Sequence, residues 1–390
     1  MLFLGHGAER SGPPLYLLRF LEWLASAGPA DVPRPTVVLA RGGELVPAYE
    51  AVADVVVASR GAEPAEPLAA ALRRAGRPAL AGAAGDRWLR RRLAGLGGHD
   101  VVHVNGCSPA NARVLDALPA SAAPVVLHVH ELDIGLRHNL TDAQRADLFG
   151  RTDRFLAVAE VVVRTLTDGH GIAPERISLH PGFVDQTAIP VGRHPSPRAG
   201  LGIGSDAFLV GTAAFPEWRK APDLLLRAAW SVRRRRPDID LHVLWIGGDP
   251  SATDGWQMGH EARQLGLGDR FHHAAATADP LPLLAALDVY ASTAREDAFP
   301  LAALEAAATG RPVVTFATGG VSELVAGDAG LVAPFPDTDA FADALISFHD
   351  DPAARELAGQ VGARRVAERY SAERCGPALW AALVDAAHRP

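Results

Sequence analysis

Short apolar runs alternate with amphipathic segments along the chain, a pattern typical of parallel α/β proteins. In the first half, apolar runs predict buried strands at residues 2–4, 36–39, 55–58, 101–104, 125–129, 155–158 and 177–179. Apolar residues at helical spacing between these runs predict helices, notably over 14–27 and 161–169. We therefore predict an α/β fold with a parallel sheet in this half.

A second α/β series follows a stretch rich in Pro and Gly, residues 181–198. Its predicted strands are 208–211, 241–246, 271–273, 287–291 and 313–316, and helix patterns cover 224–236 and 370–388. Another predicted helix begins at Pro300, where proline suits a first helical position, and is stopped by Gly310. Since 390 residues exceed the size of one hydrophobic core, we predict two domains.

Composition narrows the possible partners. The chain is 48% hydrophobic and carries a net charge of −7, which argues against non-specific nucleic-acid binding. No apolar run approaches the ~20 residues that a membrane span needs, and the N-terminal apolar run is too short for a signal peptide. Two cysteines, Cys107 and Cys375, cannot form a disulfide framework. We expect a cytoplasmic protein.

A single lysine stands out. Of 38 basic residues, all but Lys220 are arginine, so the coding bias turns most lysine positions to arginine. A lysine that persists is a candidate for a place where a compact ammonium is needed. The alternative is that Lys220 survives by chance.

An acidic loop and the helix after it, within residues 292–323, carry the strongest chemical signal. Asp297 lies in the loop after a predicted strand, at the edge where open parallel sheets bind ligands. Glu305 is the one charged side chain between Pro300 and Gly310. On a helix this apolar, a carboxylate needs a partner such as a ligand hydroxyl; the alternative is a solvent-exposed Glu. The amides at the start of the helix favour anions such as phosphate.

This stretch resembles the acidic motif of retaining GT-B glycosyltransferases of family 4. That motif has two acids separated by seven residues, followed by E-A, G-x-P-V-V and G-G-x-x-E, and Asp297 and Glu305 have this separation. The first acid is usually Glu, and Pro300 stands where Gly is more usual. The resemblance is strong over 208–334 and moderate over 1–185.

The resemblance implies the GT-B fold, in which two Rossmann-like domains face each other across a cleft. The implied domains are an acceptor-side domain over 1–185, a nucleotide-sugar-binding domain over 186–368, and a C-terminal helix over 369–390 that crosses back to the first domain. It also implies that Arg219 and Lys220 neutralise the donor diphosphate, that Asp297 holds the donor sugar, and that Glu305 holds the ribose. His130, at the end of a predicted strand, would lie next to the donor sugar; the alternative is a structural histidine.

These implications define the predicted site. The predicted catalytic residues are His130, Arg219, Lys220 and Asp297. The predicted donor-binding residues are Gly12, Arg219, Lys220, His272, Asp297, Ala298, Phe299, Pro300, Leu301 and Glu305. The predicted acceptor-binding residues are His6, Arg10, Ser11 and Glu131.

Cofactors and membranes are expected to play no part. No D-x-D motif accompanies the basic pair or the acidic stretch, and no Cys/His/Asp spacing resembles a known metal site, although His103, His128 and His130 end neighbouring strands. We therefore expect neither a metal nor another cofactor. The basic segment 87–92 is predicted to be a solvated helix face, with contact to anionic lipid as the alternative.

The predicted function is retaining, metal-independent transfer of a hexosyl group from a nucleotide sugar to a small-molecule or glycan acceptor. The expected donor is a UDP-sugar, with a GDP-sugar as the alternative, and the protein is expected to be a monomer or homodimer. The coding bias is consistent with specialised-metabolite or envelope-glycan biosynthesis. Two other functions stay open: epimerisation or hydrolysis of a sugar nucleotide on the same fold, and non-catalytic binding of a sugar nucleotide.

Overall fold

The computed structural model describes residues 1–58, 71, 74–76, 78–189 and 195–388. The chain divides into two compact units, one formed by Met1–Pro181 with Cys375–Pro390 and the other by Gly182–Arg374. Each unit has its own parallel sheet flanked by helices. The predicted α/β class, with two Rossmann-like domains, is confirmed.

The sheet of the first unit is parallel throughout. Its described strands are β1 (Leu2–Gly5), β2 (Thr36–Leu39), β3 (Asp54–Val57), β4 (Val102–Asn105), β5 (Val125–Val129), β6 (Arg154–Ala157) and β7 (Ile177–Leu179). They lie in the order β3-β2-β1-β4-β5-β6-β7. β1 and β4 are buried along their whole length, as expected for a sheet covered on both faces.

Helices connect these strands. The described ones are α1 (Gly12–Ala27), α2 (Val46–Val52), α3 (Pro78–Leu93), α4 (Pro109–Ala117), α5 (Asp133–Asn139), α6 (Asp142–Gly150) and α7 (Glu160–Arg164). α1 begins two residues before the predicted start because two prolines occupy its first turn, where their missing N–H groups cost nothing. The helix predicted over 161–169 is instead α7 followed by a π-helical turn, Thr165–Gly169.

The sheet of the second unit repeats the same winding. Its strands are β8 (Phe208–Ala213), β9 (Leu241–Ile246), β10 (Phe271–Ala274), β11 (Val289–Ser292), β12 (Val313–Phe316) and β13 (Gly330–Ala333), in the order β10-β9-β8-β11-β12-β13. Its described helices are α8 (Pro195–Gly200), α9 (Pro222–Arg235), α10 (Thr253–Gln264), α11 (Leu281–Ala285), α12 (Leu301–Ala308), α13 (Val321–Val325), α14 (Thr338–Asp350) and α15 (Pro352–Arg369). A last helix, α16 (Ala372–His388), starts in this unit and continues into the segment that belongs to the first.

A buried ion pair supports the core of the second unit. Arg198 on α8 donates to Asp288 at 2.7 Å, and both side chains are 5% exposed. Asp288 also accepts the amide hydrogen of Leu209 at the start of β8, at 2.8 Å. Because these hydrogen bonds occupy both charged groups, the pair is tolerated next to the hydrophobic core.

Strand order locates the ligand-binding edge of each sheet. In the first unit the winding reverses between β1 and β4, and in the second between β8 and β11. Open α/β sheets bind ligands beyond the carboxyl ends of the strands at such a switch point. The loops that follow these strands are therefore where functional side chains are expected.

Helix α3 carries the basic segment for which contact with anionic lipid was the alternative prediction. Leu89 and Leu93 of α3 are buried, Arg87 and Arg91 are exposed, and Arg92 donates to the Val57 carbonyl at 3.0 Å. These contacts agree with a helix that packs on its own unit. Among the described residues, no helix is long and apolar enough to cross a membrane.

Candidate functional site

The loop after β8 carries the basic pair. Residues 218–220 form a 3₁₀ turn, and Ala221 then adopts a left-handed conformation, with φ of 55° and ψ of 57°, before Pro222 starts α9. Glycine is the residue that adopts this conformation without a steric penalty. Ala221 is fully buried, and its amide donates to the carbonyls of Glu217 and Trp218, both at 3.2 Å. The packed loop thus holds Arg219 and Lys220 in a fixed turn.

Both basic side chains converge on Asp297. The Lys220 ammonium donates to Asp297 Oδ2, and Arg219 Nη1 lies 3.7 Å from Asp297 Oδ1. Arg219 also donates to the Glu296 carbonyl at 3.1 Å and to Glu217 Oε1 at 2.7 Å. The structure therefore brings three of the predicted catalytic residues together, although Asp297 lies 77 positions after Lys220 in the chain.

The acidic loop is fixed by the loop after β12. Asp297 forms an isolated parallel bridge with Gly319, and the Gly320 amide donates to the Asp297 carbonyl at 3.1 Å. A Cβ atom on Gly319 would lie 1.9 Å from the Asp297 carbonyl oxygen, so only glycine fits this approach. The Thr318 hydroxyl donates to the Ala294 carbonyl at 2.7 Å. The G-G-x-x-E segment of the motif thus contributes its backbone to the position of Asp297.

Helix α12 places the second acid in the interior. Glu305 is 7% exposed, so the exposed alternative is excluded. The helix begins at Leu301; Pro300 is its N-cap, with an extended ψ of 127°, and the prediction that Pro300 is the first helical residue is wrong by one position. Ala298, Phe299 and Leu301, all predicted to contact the donor, are buried at this end of α12.

A small pocket lies beside the basic pair. Lys220, Asp297 and Pro300 line it, together with Tyr290 of β11. Burial raises the pKa of the Tyr290 hydroxyl, and the charges of Asp297 and Glu305 raise it further. The structure therefore contains a cluster of two cations and the Asp297 carboxylate at the carboxyl edge of this sheet.

His272 is not part of this cluster. Its Nε2 lies 2.8 Å from Nδ1 of His242, and the two rings stack with centroids 5.1 Å apart. His242 is near the start of β9, so the side chain of His272 points away from the carboxyl edge. None of the described contacts of this side chain joins it to the basic pair or to Asp297.

In the first unit, His130 directly follows β5. Its Nε2 lies 2.9 Å from Oδ1 of Asn105, the last residue of β4. Its ring stacks on His128 with centroids 4.6 Å apart and meets the edge of Tyr16 at 5.1 Å. Burial, together with the smaller effects of His103 and His6, lowers the pKa of His130 to about 3. The imidazole is therefore neutral at physiological pH.

Glu131, predicted to bind the acceptor, accepts hydrogen bonds from backbone amides in this structure. Its carboxylate accepts the amide hydrogens of Cys107 at 3.1 Å and of His130 at 2.9 Å. These bonds tie the loop after β4 to the loop after β5. Burial and the neighbouring Glu131 raise the pKa of the Cys107 thiol.

The other predicted residues of the first unit lie on the loop between β1 and α1 or, for Gly12, at the first position of α1. His6 is partly buried, which lowers its pKa, and Arg10 lies 3.9 Å from Glu44. The Ser11 amide donates to the Glu9 carbonyl at 2.8 Å. Gly12 is exposed, and a Cβ atom there would meet nothing within 4 Å, so nothing within the described structure requires glycine at this position.

The arrangement of potential metal ligands bears on the predicted absence of a metal. Among the residues that the structure describes, no group of three or more His, Cys, Asp or Glu side chains could hold a metal ion. Two D-x-D triplets do occur away from the site, at 238–240 and 337–339. Asp238 pairs with Arg236 at 2.7 Å, and Asp337 caps α14, so these acids already have structural roles.

A larger cavity, of about 450 Å³, lies in the first unit. Its lining includes Leu2, Val102 and Val125, the first residues of three strands, together with His99 and Arg151. It is therefore at the amino edge of the sheet. Because parallel α/β sheets bind ligands at the carboxyl edge, we assign it no function.

Several contributors were missed by the sequence reasoning. Asn105 contacts His130, Tyr290 lines the pocket, and Arg295 makes a two-pronged pair with Asp223 at 2.7 and 2.9 Å that holds the basic loop. Asn105 could have been singled out as a polar residue that ends an apolar strand. Nothing in the sequence singled out Tyr290 or Arg295, because apolar strands often contain Tyr and loops often contain Arg.

Each half of the chain matches a known protein family. Residues 16–187 match the family described as Glycosyltransferase Family 4, and residues 206–351 match Glycosyl transferases group 1. D-inositol 3-phosphate glycosyltransferase 1 of Catenulispora acidiphila is 31% identical over 314 residues, which cover 74% of this chain and 71% of that protein. The corresponding protein of Saccharomonospora viridis is 34% identical over 235 residues, with 58% and 54% covered. The chain spans about half the length of several curated relatives that it matches.

Solved structures share the fold along nearly the whole chain. The Anabaena protein HepE, solved with UDP and glucose, has a TM-score of 0.76 at 17% identity, covering 98% of both chains. Sucrose-phosphate synthase from Thermosynechococcus elongatus has a TM-score of 0.75 at 19% identity, covering 99% of both. At these identities the likeness establishes the fold alone.

Proposed function

This chain belongs to the group 1 glycosyltransferases of family 4, and from that premise we propose that it transfers a sugar from a nucleotide-sugar donor to a hydroxyl of an acceptor. One observation carries the proposal: Arg219 and Lys220 meet Asp297 at the carboxyl edge of the second sheet, and the loop that holds Asp297 leads into α12, which carries the buried Glu305. The two cations suit a diphosphate, and the two carboxylates suit sugar and ribose hydroxyls.

We further propose that the donor is a UDP-sugar. The structural relative HepE was solved with UDP, with UDP and glucose, and with UDP-glucose. A GDP-sugar remains the alternative, since the described contacts include none that would distinguish the two bases. Glu305, buried on α12, is proposed to accept hydrogen bonds from the ribose.

The proposed chemistry depends on the charges of the basic loop. When the bond between the anomeric carbon and the diphosphate oxygen breaks, negative charge develops on the leaving oxygen. Lys220 and Arg219 would stabilise this charge without a metal ion, because they are already fixed in position before the donor arrives. Asp297, which holds both cations now, would share them with the diphosphate when the donor is bound.

The proposed stereochemical course is retention. Family membership supports a front-face transfer, in which the acceptor oxygen bonds to the anomeric carbon on the side that the diphosphate leaves. The departing phosphate oxygen takes the acceptor proton, so no covalent enzyme intermediate is needed. The acceptor is proposed to be a small molecule or a glycan, and the curated relatives make D-inositol 3-phosphate the first to test.

The experiment that tests the function is a product assay. Purified protein is incubated with UDP-glucose, UDP-N-acetylglucosamine or GDP-mannose and with a panel of acceptors that includes D-inositol 3-phosphate. Mass spectrometry and NMR of the product should show a new glycoside with the anomeric configuration of the donor. Inversion would overturn the proposed retention.

The two alternative functions give different products in the same assay. Free sugar or an epimerised nucleotide sugar, without a glycoside in any reaction, would favour hydrolysis or epimerisation. Tight nucleotide binding without any turnover would favour a non-catalytic binding protein.

A further inference from the structure

Asn105 lies in a position to control the chemistry of His130. Its side chain is fully buried at the end of β4, and its Oδ1 is 2.9 Å from His130 Nε2. Its Nδ2 donates to the Pro13 carbonyl at 2.7 Å. A carbonyl oxygen can only accept, so this second contact fixes which end of the amide faces His130.

The orientation of the amide determines the tautomer of the imidazole. Because Asn105 presents its oxygen, His130 Nε2 must carry the hydrogen and donate it. In a neutral ring, Nδ1 is then the acceptor. His130 Nδ1 has no hydrogen-bond partner among the described residues, and it is not one of their fully enclosed polar atoms. The lone pair of Nδ1 is therefore available to a ligand.

Other contacts keep the ring in this orientation. His128 stacks on one side of it, Tyr16 meets it edge-on, and the His130 amide is held by Glu131. The titratable groups that face the ring are thus His128, Tyr16, Glu131 and the more distant His103 and His6. Burial keeps the pKa of both His128 and His130 well below the ordinary histidine value.

We propose that Asn105 is a positioning residue that holds His130 as the neutral Nε2–H tautomer, so that Nδ1 accepts a hydrogen bond from a hydroxyl of the substrate. The proposal rests on the proposed function, since a nucleotide sugar and its acceptor both supply hydroxyl donors. It goes further in assigning the protonation state of His130 and the residue that sets it. An imidazolium or the Nδ1–H tautomer would present a donor instead of an acceptor to the same hydroxyl.

The direct test is NMR of protein labelled with ¹⁵N-histidine, without substrate. We expect the His130 resonances, assigned by their loss in His130→Gln, to show the neutral Nε2–H form from pH 5 to pH 8. In Asn105→Ala, nothing fixes the tautomer, so the two neutral forms should both be populated. An Nδ1–H or charged His130 in the wild type, or an unchanged tautomer in Asn105→Ala, would overturn the proposal.

Kinetics add a second readout, with UDP-glucose as the donor probe. Asn105→Ala should lower kcat/KM by roughly 10- to 100-fold, because a misplaced group costs about this much. Asn105→Asp should raise the pKa of His130 by adding a carboxylate beside Nε2–H, so that kcat/KM rises with pH between 5 and 8. A flat pH profile in Asn105→Asp, with wild-type kcat/KM, would contradict the proposal.

A matched control separates positioning from stability. Asn111 is also fully buried and donates to the carbonyls of Asn105 and Gly106 at 2.9 Å, without touching His130. Asn111→Ala should lower the melting temperature but leave the His130 tautomer unchanged; a changed tautomer would show that general loosening, not the Asn105 contact, sets it. If no transferase activity is found with any donor, the proposed function fails while the NMR result still decides the role of Asn105.

Discussion

The two sheets of this protein share a strand order but differ in the charge of their carboxyl edges. In the second unit the edge carries the side chains of Arg219, Lys220, Asp297 and Glu305. In the first unit the corresponding edge carries Asn105 and His130, whose lowered pKa keeps it neutral. The same winding therefore supports a charged edge, where Lys220 and Arg219 pair with Asp297, and a neutral edge, where Asn105 contacts an uncharged imidazole.

The two edges reduce the free-energy cost of burying polar groups in different ways. The charged edge offsets that cost by pairing, since Lys220 and Arg219 share the carboxylate of Asp297. The neutral edge avoids the cost because burial keeps the imidazoles of His128 and His130, which stack on each other, uncharged. Variants that change charge should therefore have opposite consequences in the two units.

The largest effect is expected at Lys220. Lys220→Ala removes a cation that is proposed to stabilise the leaving diphosphate, and kcat should fall by roughly 10²- to 10³-fold. Lys220→Arg keeps the positive charge but places a planar guanidinium group where the compact ammonium contacts Asp297. The loss of kcat should therefore be smaller than in Lys220→Ala but still measurable. Steady-state kinetics at saturating donor measure both variants.

The matched control for Lys220 is Arg227→Ala. Arg227 is an exposed cation on α9, the helix that directly follows the basic loop. Its kcat should stay within about twofold of wild type. A Lys220→Ala enzyme as active as this control would mean that the lysine persists by chance.

A smaller effect is expected for nucleotide affinity at Glu305. Removing a carboxylate that hydrogen-bonds to ribose should weaken UDP binding by roughly 10- to 100-fold, the equivalent of a charged hydrogen bond. Calorimetry of UDP binding to Glu305→Gln, which keeps the shape of the side chain, measures this loss. Glu356→Ala, an exposed acid on α15, serves as the control. Unchanged affinity in Glu305→Gln would show that the buried acid does not bind the nucleotide.

The neutral edge should fail first in acid. Burial lowers the pKa of His103 from 6.5 to about 3. Between these values the unfolded state binds a proton that the folded state does not, so stability falls as pH falls from about 6.5 towards 3. The protection of backbone amides from hydrogen exchange, relative to their intrinsic rates at each pH, should therefore be lost in β4 and β5 at a higher pH than in β8 and β11.

Replacing one histidine sharpens this prediction. Both ring nitrogens of His103 are buried without a hydrogen-bond partner, and its ring packs 5.4 Å from that of Phe3. His103→Phe should therefore stabilise the first unit by about 2 kcal/mol at pH 5 relative to wild type, with little change at pH 8. His138→Gln, at an exposed histidine of the same unit, should not do so. Equal acid sensitivity of His103→Phe and wild type would contradict this account.

The smallest effect is expected from metal removal. Since Lys220 and Arg219 are proposed to supply the positive charge at the diphosphate, turnover should be unchanged within about twofold in EDTA. Product formation is measured with and without the chelator, and then after Mn²⁺ or Mg²⁺ is added back. Loss of activity that either metal restores would show that the two cations are not sufficient.

The sequence by itself determined the class of fold and the chemistry of the charged edge. Most strand ends followed from apolar runs to within about one residue, because a strand covered on both faces must be apolar throughout. β8 ends two residues after its predicted end, β11 begins two residues after its predicted start, and β13 was not predicted. Two independent signals predicted functional residues at the same edge. One was the spacing of Asp297 and Glu305, and the other was the single lysine, Lys220. These signals are local in the chain, so no tertiary information was needed to see them.

Only the tertiary structure decided which side chains meet. Asn105 and His130 are separated by 25 positions, and Lys220 and Asp297 by 77, so neither contact can be inferred from local spacing. In the structure, Glu131 accepts hydrogen bonds from two backbone amides, and His272 contacts His242. Each side chain binds the nearest unpaired donor or acceptor that folding brings to it. The physical reason is general: apolar burial follows the periodicity of the chain, whereas pairing of polar groups depends on distances that exist only after the strands are assembled.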